Sequence, residues 1–339
     1  RKDSMKTPLL NIALLGCGRW AQTAHLPLIT SSKHIENITL SGVLTPEEGA
    51  MLAKRYGVTY THDWKKEVQD PTVHAVVIST PHQLHYEQIK ESLLNNKHVH
   101  VDKPPTLRLA ELEELIMLAQ EKGLFLSVHA QMKYMPGISN LQRILRSEFS
   151  SIYQVNGYFW QKIFDDYKDS WRANNSLSGG GIMIDSGYHI IDTVHYIVDS
   201  LQPTAPTYLS HSGVRNASDA VGLLTYKQNG SIISISAIRG APRMSQRQRI
   251  EIFGDAGYLE FQVSKSEHGG DSAKLIYQRT DGKYEEASYD IGEDYLSDPL
   301  HIFIESIYSE NKLMISEMRQ NLKIAYSVVK VLDRAYRQP

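Results

Sequence analysis

Leu10-Asn11-Ile12-Ala13-Leu14-Leu15-Gly16-Cys17-Gly18-Arg19-Trp20-Ala21 decides the fold. A short apolar run ends at Gly16 and passes through G-x-G-x-x-A into a segment, residues 19–31, that reads as a helix. Gly16 permits the tight turn, and Gly18 lets the backbone approach a pyrophosphate at the positive end of the helix. Ala21 stands where a third glycine often allows close helix packing. The pattern sits between a strand and a helix in the first βαβ unit, the context that gives it meaning as a dinucleotide site. Gly16, Gly18, Arg19, Trp20 and Ala21 are therefore candidate cofactor-binding residues.

Outward from this stretch, strand-like and helix-like segments alternate. Strands are expected at 38–44, 73–79, 99–101 and 124–130, and helices at 46–56, 82–95 and 107–122. This alternation indicates a parallel sheet covered on both faces, an α/β Rossmann domain over residues 1–131. The pattern then changes. A helix near 136–147 leads into a long run from Ile152 to Phe164, and a helix follows at 181–199. Strand-like runs come next at 205–213, 219–227, 231–239, 247–254, 257–263 and 273–279, with Asn229-Gly230 as a hairpin signal. Helical stretches at 298–309 and 317–337 close the chain. Residues 132–339 thus read as an α+β domain with a mostly antiparallel sheet, bearing on substrate and oligomerisation.

A length of 339 residues suits two domains. Lys plus Arg (36) nearly balances Asp plus Glu (38), so charge gives no reason to expect nucleic acid or an anionic membrane as partner. The single cysteine, Cys17, excludes an internal disulfide and a multi-cysteine zinc site, and fits a reducing, cytoplasmic setting. No apolar run approaches the roughly 20 residues that span a bilayer.

The second strand of such a domain commonly ends in an acid that binds the adenine ribose of NAD. Here it ends Gly42-Val43-Leu44-Thr45, with no acid before Glu47. A hydroxyl at Thr45 removes the repulsion that would reject a 2′-phosphate, and Arg19 offers positive charge, so NADP is slightly favoured over NAD. Glu47 and Glu48 also read as first-turn helix residues stabilised by the dipole. Thr80 and Pro81 follow the third expected strand and should line the cofactor. His82 and His85 read equally as cofactor contacts or as polar residues of a helix start.

Val99-His100-Val101-Asp102-Lys103-Pro104 places a lysine at the carboxyl end of a buried strand. Lys103 could polarise a substrate oxygen there. Further on, Gly179-Gly180-Gly181 precedes a helix on which Asp185 and His189 are four residues apart and Asp192 continues the same face. Histidine titrates near neutrality and suits proton transfer at an alcohol, and a nearby carboxylate would orient it. The glycines would let the chain approach a ligand closely. A metal held by Asp185, His189 and Asp192 is not expected beside a nicotinamide site, so no metal is assigned.

Taken together, these elements resemble the Gfo/Idh/MocA oxidoreductase family, which includes glucose-fructose oxidoreductase and inositol dehydrogenase. The resemblance covers nearly the whole chain. It rests on Gly16 to Trp20, the Thr80-Pro81 to His85 segment, Asp102-Lys103-Pro104, and the glycine run leading to Asp185-x-Gly-x-His189. Trp171-Arg172 also resembles a pair that commonly precedes the glycine run. The chain departs from the family where Asp102 replaces the usual glutamate of a Glu-Lys-Pro motif. The resemblance implies Lys103, Asp185 and His189 as catalytic and substrate-binding residues, with Arg172 as a further substrate contact; Lys103 is also expected to contact the cofactor. It also implies a C-terminal domain built on a large open sheet whose outer face often serves a homodimer or homotetramer. The implied reaction moves hydride between a nicotinamide and a secondary hydroxyl or ketone of a sugar, inositol or related polyol. A dinucleotide-dependent glycosidase on the same fold, or a non-catalytic dinucleotide-sensing regulator, are the rivals. Retention of Lys103, Asp185 and His189 favours catalysis. Substrate selection is expected from loops near Gln131–Tyr134, Phe164–Arg172 and Ile238–Arg247.

Overall fold

The computed structural model describes residues 9–42, 45–161, 170–198, 203–213, 219–239, 246–265, 270–309 and 311–337. Contacts divide the chain into two units. The first comprises residues 1–106, 110–129 and 296–322, and the second 107–109, 130–295 and 323–339. Residues 296–322 thus cluster with the first unit and residues 323–339 with the second.

In that unit, β1 (Leu10–Leu15), β2 (Ile35–Ser41), β3 (Thr59–Thr61), β4 (Ala75–Ile78), β5 (His98–Asp102) and β6 (Leu126–His129) form one parallel sheet. Its order is β3-β2-β1-β4-β5-β6. Strands β1 and β4 lie at the centre and, Asn11 of β1 apart, are apolar along their length, because both of their faces are covered. The order reverses between β1 and β4, and ligands bind at such a switch point, outside the carboxyl ends of the strands. The helices are α1 (Leu26–Ser31), entered through a π-helical turn at Ala21–His25, α2 (Pro46–Tyr56), α3 (Trp64–Gln69), α4 (His82–Leu94) and α5 (Leu109–Glu121). Strand β3 and helix α3 escape a reading by periodicity. Each spans only three to six residues, and α3 owes its start to Asp63, which accepts from the backbone N–H of Lys65 and Lys66.

The second unit contains α6 (Ile138–Glu148), β7 (Ile152–Gln161), α7 (Asn175–Ser178), α8 (Ile182–Val198) and β8 (Pro203–Gly213). It continues with β9 (Asp219–Gln228), β10 (Ser231–Arg239), β11 (Gln246–Gly254), β12 (Gly257–Lys265), β13 (Asp271–Arg279) and β14 (Tyr284–Ile291). The eight strands form one sheet ordered β14-β13-β12-β11-β7-β10-β9-β8. Every pair is antiparallel except β7 with β10. Helix α8 packs on β7, β9 and β10 and is buried nearly all round, its polar side chains included. Along β10 burial alternates, so Ile233, Ile235, Ala237 and Arg239 share the covered face. Helix α9 (Asp298–Tyr308) packs on β6 in the first unit, and α10 (Lys312–Arg337) ends the described chain. Among the described residues no helix is long and apolar enough to cross a membrane.

Candidate active site

The glycine turn is built as the sequence requires. Gly16 adopts φ +97°, and its N–H donates to the Ser41 carbonyl at 2.6 Å. A Cβ added at Gly16 would stand 2.2 Å from the Ser79 carbonyl oxygen, so the turn is wedged between the ends of β2 and β4. Gly18 differs, because a Cβ added there meets nothing within 4 Å. The protein does not need that glycine for its own packing. Open space over an exposed backbone at a helix start is what a pyrophosphate needs, and the cradle fits a dinucleotide. Arg19 is exposed beside it, Trp20 is half-buried and Ala21 is fully buried. Burial pushes the Cys17 thiol up to about 11, so it stays protonated and takes no nucleophilic role.

Thr45 is the N-cap of α2. Its hydroxyl accepts from the Glu48 N–H at 3.2 Å, and the Glu48 carboxylate accepts from the Thr45 N–H at 2.9 Å. This reciprocal capping box commits Glu48 to the helix start, in line with its reading as a first-turn residue.

Beyond β4, the Thr80 hydroxyl donates to Gln88 Oε1 at 2.6 Å. Pro81 is the N-cap of α4, and His82 behind it is buried. His85 does not reach outward as a cofactor contact would. It is fully buried, with Nδ1 2.8 Å from the Pro104 carbonyl and Nε2 2.9 Å from the Thr80 carbonyl. Both ring nitrogens face protein carbonyls, and the neutral ring donates to one of them, so His85 packs between the loop after β4 and the loop after β5. Burial lowers its basicity, outweighing the two carbonyls that favour the charged ring.

Asp102 ends β5. Its Oδ2 accepts from the Ser79 hydroxyl at 2.5 Å and its Oδ1 lies 2.8 Å from His25 Nε2. Burial alone would raise this carboxyl, but His25 and the Ser79 hydroxyl hold it well below the usual carboxylate range. The shorter acid thus serves as an ionised brace between three segments. Lys103 follows, half-buried, with a cis bond to Pro104.

In the second unit, Asp185 sits in the first turn of α8. Its Oδ2 lies 3.3 Å from Arg172 Nε and 3.2 Å from an Arg239 guanidinium nitrogen. The Arg172 guanidinium also lies 4.4 Å from the centre of the Trp171 ring. One turn on, His189 is half-buried and its ring lies nearly parallel to Phe159, at 23° with centroids 6.3 Å apart. Asp192 is directed elsewhere. It pairs with Lys133 at 3.2 Å, both side chains 1% exposed, and burial raises its carboxyl against the opposing pull of Lys133. The glycine run serves packing more than ligand approach, since a Cβ on Gly179 would meet Leu107 at 2.2 Å.

Sequence reasoning missed three partners in these networks: Arg239, Lys133 and His25. Arg239 carried a signal, because it continues the apolar alternation Ile233, Ile235, Ala237 of β10 and so had to face the helix. Of the loops expected to select substrate, residues 164–169 and 240–245 lie outside the described residues, as does Leu44.

Comparison with known proteins agrees with this architecture. A family model described as "Oxidoreductase family, NAD-binding Rossmann fold" matches residues 10–130. One described as "GFO/IDH/MocA C-terminal domain" matches residues 141–260. The scyllo-inositol 2-dehydrogenase (NADP(+)) IolW of Bacillus subtilis is 26% identical over 199 residues, 57% of this chain and 53% of that protein. The scyllo-inositol 2-dehydrogenase (NAD(+)) of the same organism is 24% identical over 264 residues, 76% of this chain and 75% of that protein. The chain spans about half the length of the first curated relatives it matches. A solved levoglucosan dehydrogenase in complex with NADH and L-sorbose shares the fold, with a TM-score of 0.79 and 20% identity over 97% of this chain and 96% of that one.

Proposed function

The chain belongs to the GFO/IDH/MocA oxidoreductase family, and from that premise we propose that it is an NAD(P)-dependent dehydrogenase or reductase acting on a secondary hydroxyl or ketone of a sugar, inositol or related polyol. The observation that carries this reading is the pair Gly16 and Gly18. Gly16 is required by the fold, and the open space over Gly18 supports approach of a ligand to its backbone.

Gly16, Gly18, Arg19, Trp20 and Ala21, with Thr45, Thr80 and Pro81, would hold the dinucleotide. A bound nicotinamide would supply the acceptor or donor of the hydride at the alcohol carbon. His189 takes the proton of the substrate hydroxyl, for which a half-buried imidazole is suited. Lys103 stabilises the oxygen as negative charge develops on it. Asp185, gripped by Arg172 and Arg239, orients His189 or the substrate hydroxyl, and Arg172, the more exposed of the two arginines, also contacts substrate. His85 and Asp102 act as positioning residues that fix the loop bearing Lys103. Ketone reduction uses the same groups with His189 as acid. We assign NADP as the preferred cofactor, on the absence of an acid between Gly42 and Thr45 and on exposed Arg19. The expected assembly is a homodimer or homotetramer through the large sheet, in the cytoplasm.

The test is a panel of inositols, anhydrosugars and keto-sugars incubated with each cofactor, followed by nicotinamide absorbance and product analysis. Cofactor conversion equal to the alcohol or ketone consumed supports the proposal. Glycoside cleavage with no net cofactor change would establish the glycosidase alternative, and cofactor binding with no turnover on any substrate would favour the regulator.

A further inference from the structure

The first unit holds a second cluster that the proposed reaction does not use. His25, His100 and His129 come from the turn before α1, from β5 and from β6, and each offers a nitrogen within 4.8 Å of one on both others. We propose that these three histidines bind a first-row divalent transition-metal ion, with Zn2+ the first candidate.

The arrangement of the rings supports this. They stand mutually perpendicular, at 88°, 87° and 89°, with one candidate nitrogen of each within 4.8 Å of those of the other two. His100 Nε2 and His129 Nδ1 share a hydrogen bond of 3.0 Å, which an ion would replace; that separation is close to the roughly 3.3 Å between nitrogens that tetrahedral Zn–N bonds impose.

For His25 and His100 the outer contacts match those of a metal centre. A metal-ligating histidine usually gives its other nitrogen to a carboxylate, hydroxyl or carbonyl, which fixes ring and tautomer. His25 turns Nε2 to Asp102 at 2.8 Å, and His100 turns Nδ1 to the Ser127 hydroxyl at 3.0 Å. His25 Nδ1 is buried and has no hydrogen-bond partner among the described residues. A purely structural network would leave that nitrogen unused, and a metal accounts for it. All three side chains are at most 1% exposed, walled by Trp20 against His129 and Phe303 against His100. Asp102 supplies negative charge through His25 to offset part of the charge of the ion.

The bound ion would pin the helix entry after the glycine turn to the ends of β5 and β6. The sequence-based expectation of no metal weighed only Cys17 and the Asp185–His189–Asp192 run. These histidines are far apart in the chain, and only the β5–β6 register with His25 packed against it unites them.

Because the site is enclosed, the full chain is to be produced in Zn2+-supplemented medium and, separately, refolded with Zn2+ and dialysed. Metal is then counted by mass spectrometry, and the zinc absorption edge is analysed for its ligands. About one zinc per chain with imidazole scatterers at about 2.0–2.1 Å is expected. Stoichiometry should fall at least tenfold in His100→Leu and His129→Leu. Wild-type protein without stoichiometric zinc from either preparation would overturn the proposal. So would equal zinc in wild type and variants, or an oxygen-dominated coordination shell. If the variants fail to fold, the wild-type stoichiometry and absorption spectrum decide alone.

Discussion

The Arg239 guanidinium lies 3.2 Å from the Asp185 carboxylate, and both residues are buried. A charge in such a place needs its partner, so the pair is asymmetric in energy. Breaking it by removing one member costs about 3–5 kcal/mol, whereas a surface pair contributes about 0–1 kcal/mol. Arg172, which grips the same carboxylate, is 30% exposed at its side chain. Arg239→Ala should therefore destabilise the protein by about 2–4 kcal/mol, reduced because Arg172 remains. Arg172→Ala should cost about 1 kcal/mol or less in stability while raising KM. Urea denaturation and steady-state kinetics on both variants check this. A larger stability loss for Arg172→Ala than for Arg239→Ala would contradict the ranking.

The two glycines of the turn should separate folding from binding. Gly16→Ala forces a side chain into positive φ and against the Ser79 carbonyl, and should cost more than about 2 kcal/mol. Gly18→Ala meets no protein atom and should leave stability within about 0.5 kcal/mol of wild type. Its dinucleotide affinity should nevertheless fall at least about tenfold, because backbone approach is blocked. Thermal melts with and without NADPH measure both effects. Unchanged affinity in Gly18→Ala would remove the main support for the cofactor site.

His85→Phe keeps the ring volume but removes the N–H that the neutral ring donates to one of the two carbonyls, Pro104 or Thr80. The orphaned acceptor costs about 1–3 kcal/mol. The variant should lose stability on that scale, and kcat should fall more than cofactor affinity, because the packing between the loop carrying Lys103 and the loop of Thr80 is disturbed. Equal stability of variant and wild type would show that the hydrogen bond is unimportant.

His195 gives a pH signature. Burial pushes it down to about 3 from 6.5, and its ring lies between the Tyr226 hydroxyl at 2.7 Å and the Ser327 hydroxyl at 2.9 Å. The native ring is neutral where the unfolded ring is protonated, so the unfolded state binds more protons between about 6.5 and 3. Stability must then rise with pH across that window and be lost on acidification. Replacing His195 with Phe should flatten the slope by up to about 1.4 kcal/mol per pH unit. Urea melts from pH 7 down to pH 4 read this directly, and an identical slope in the variant would refute it.

Much of this was legible in the chain. The run Leu10–Ala21 announced its strand, turn and helix because apolar continuity and two glycines act locally. Strand β14 was not legible. Residues Tyr284–Ile291 form an exposed edge strand, with polar residues where a buried strand shows apolar ones. The return of residues 296–322 to the first unit was hidden for a different reason, since α9 looks like any amphipathic helix and only tertiary contact tells which sheet it covers. At the site, Asp185 and His189 were visible from helical spacing, but their partners were not. Asp192 shares their helix and yet pairs with Lys133, because buried charges go to whichever opposite charge the fold supplies.

The most direct test of the central claim combines cofactor titration and turnover in wild type and Lys103→Ala. NADH and NADPH are titrated by nicotinamide fluorescence, and the same samples are assayed on the polyol panel. Micromolar binding of NADPH by both proteins is predicted, with turnover of a polyol lost by at least about a hundredfold only in Lys103→Ala. Failure of wild type to bind either cofactor, or equal turnover by the two proteins, would contradict the account.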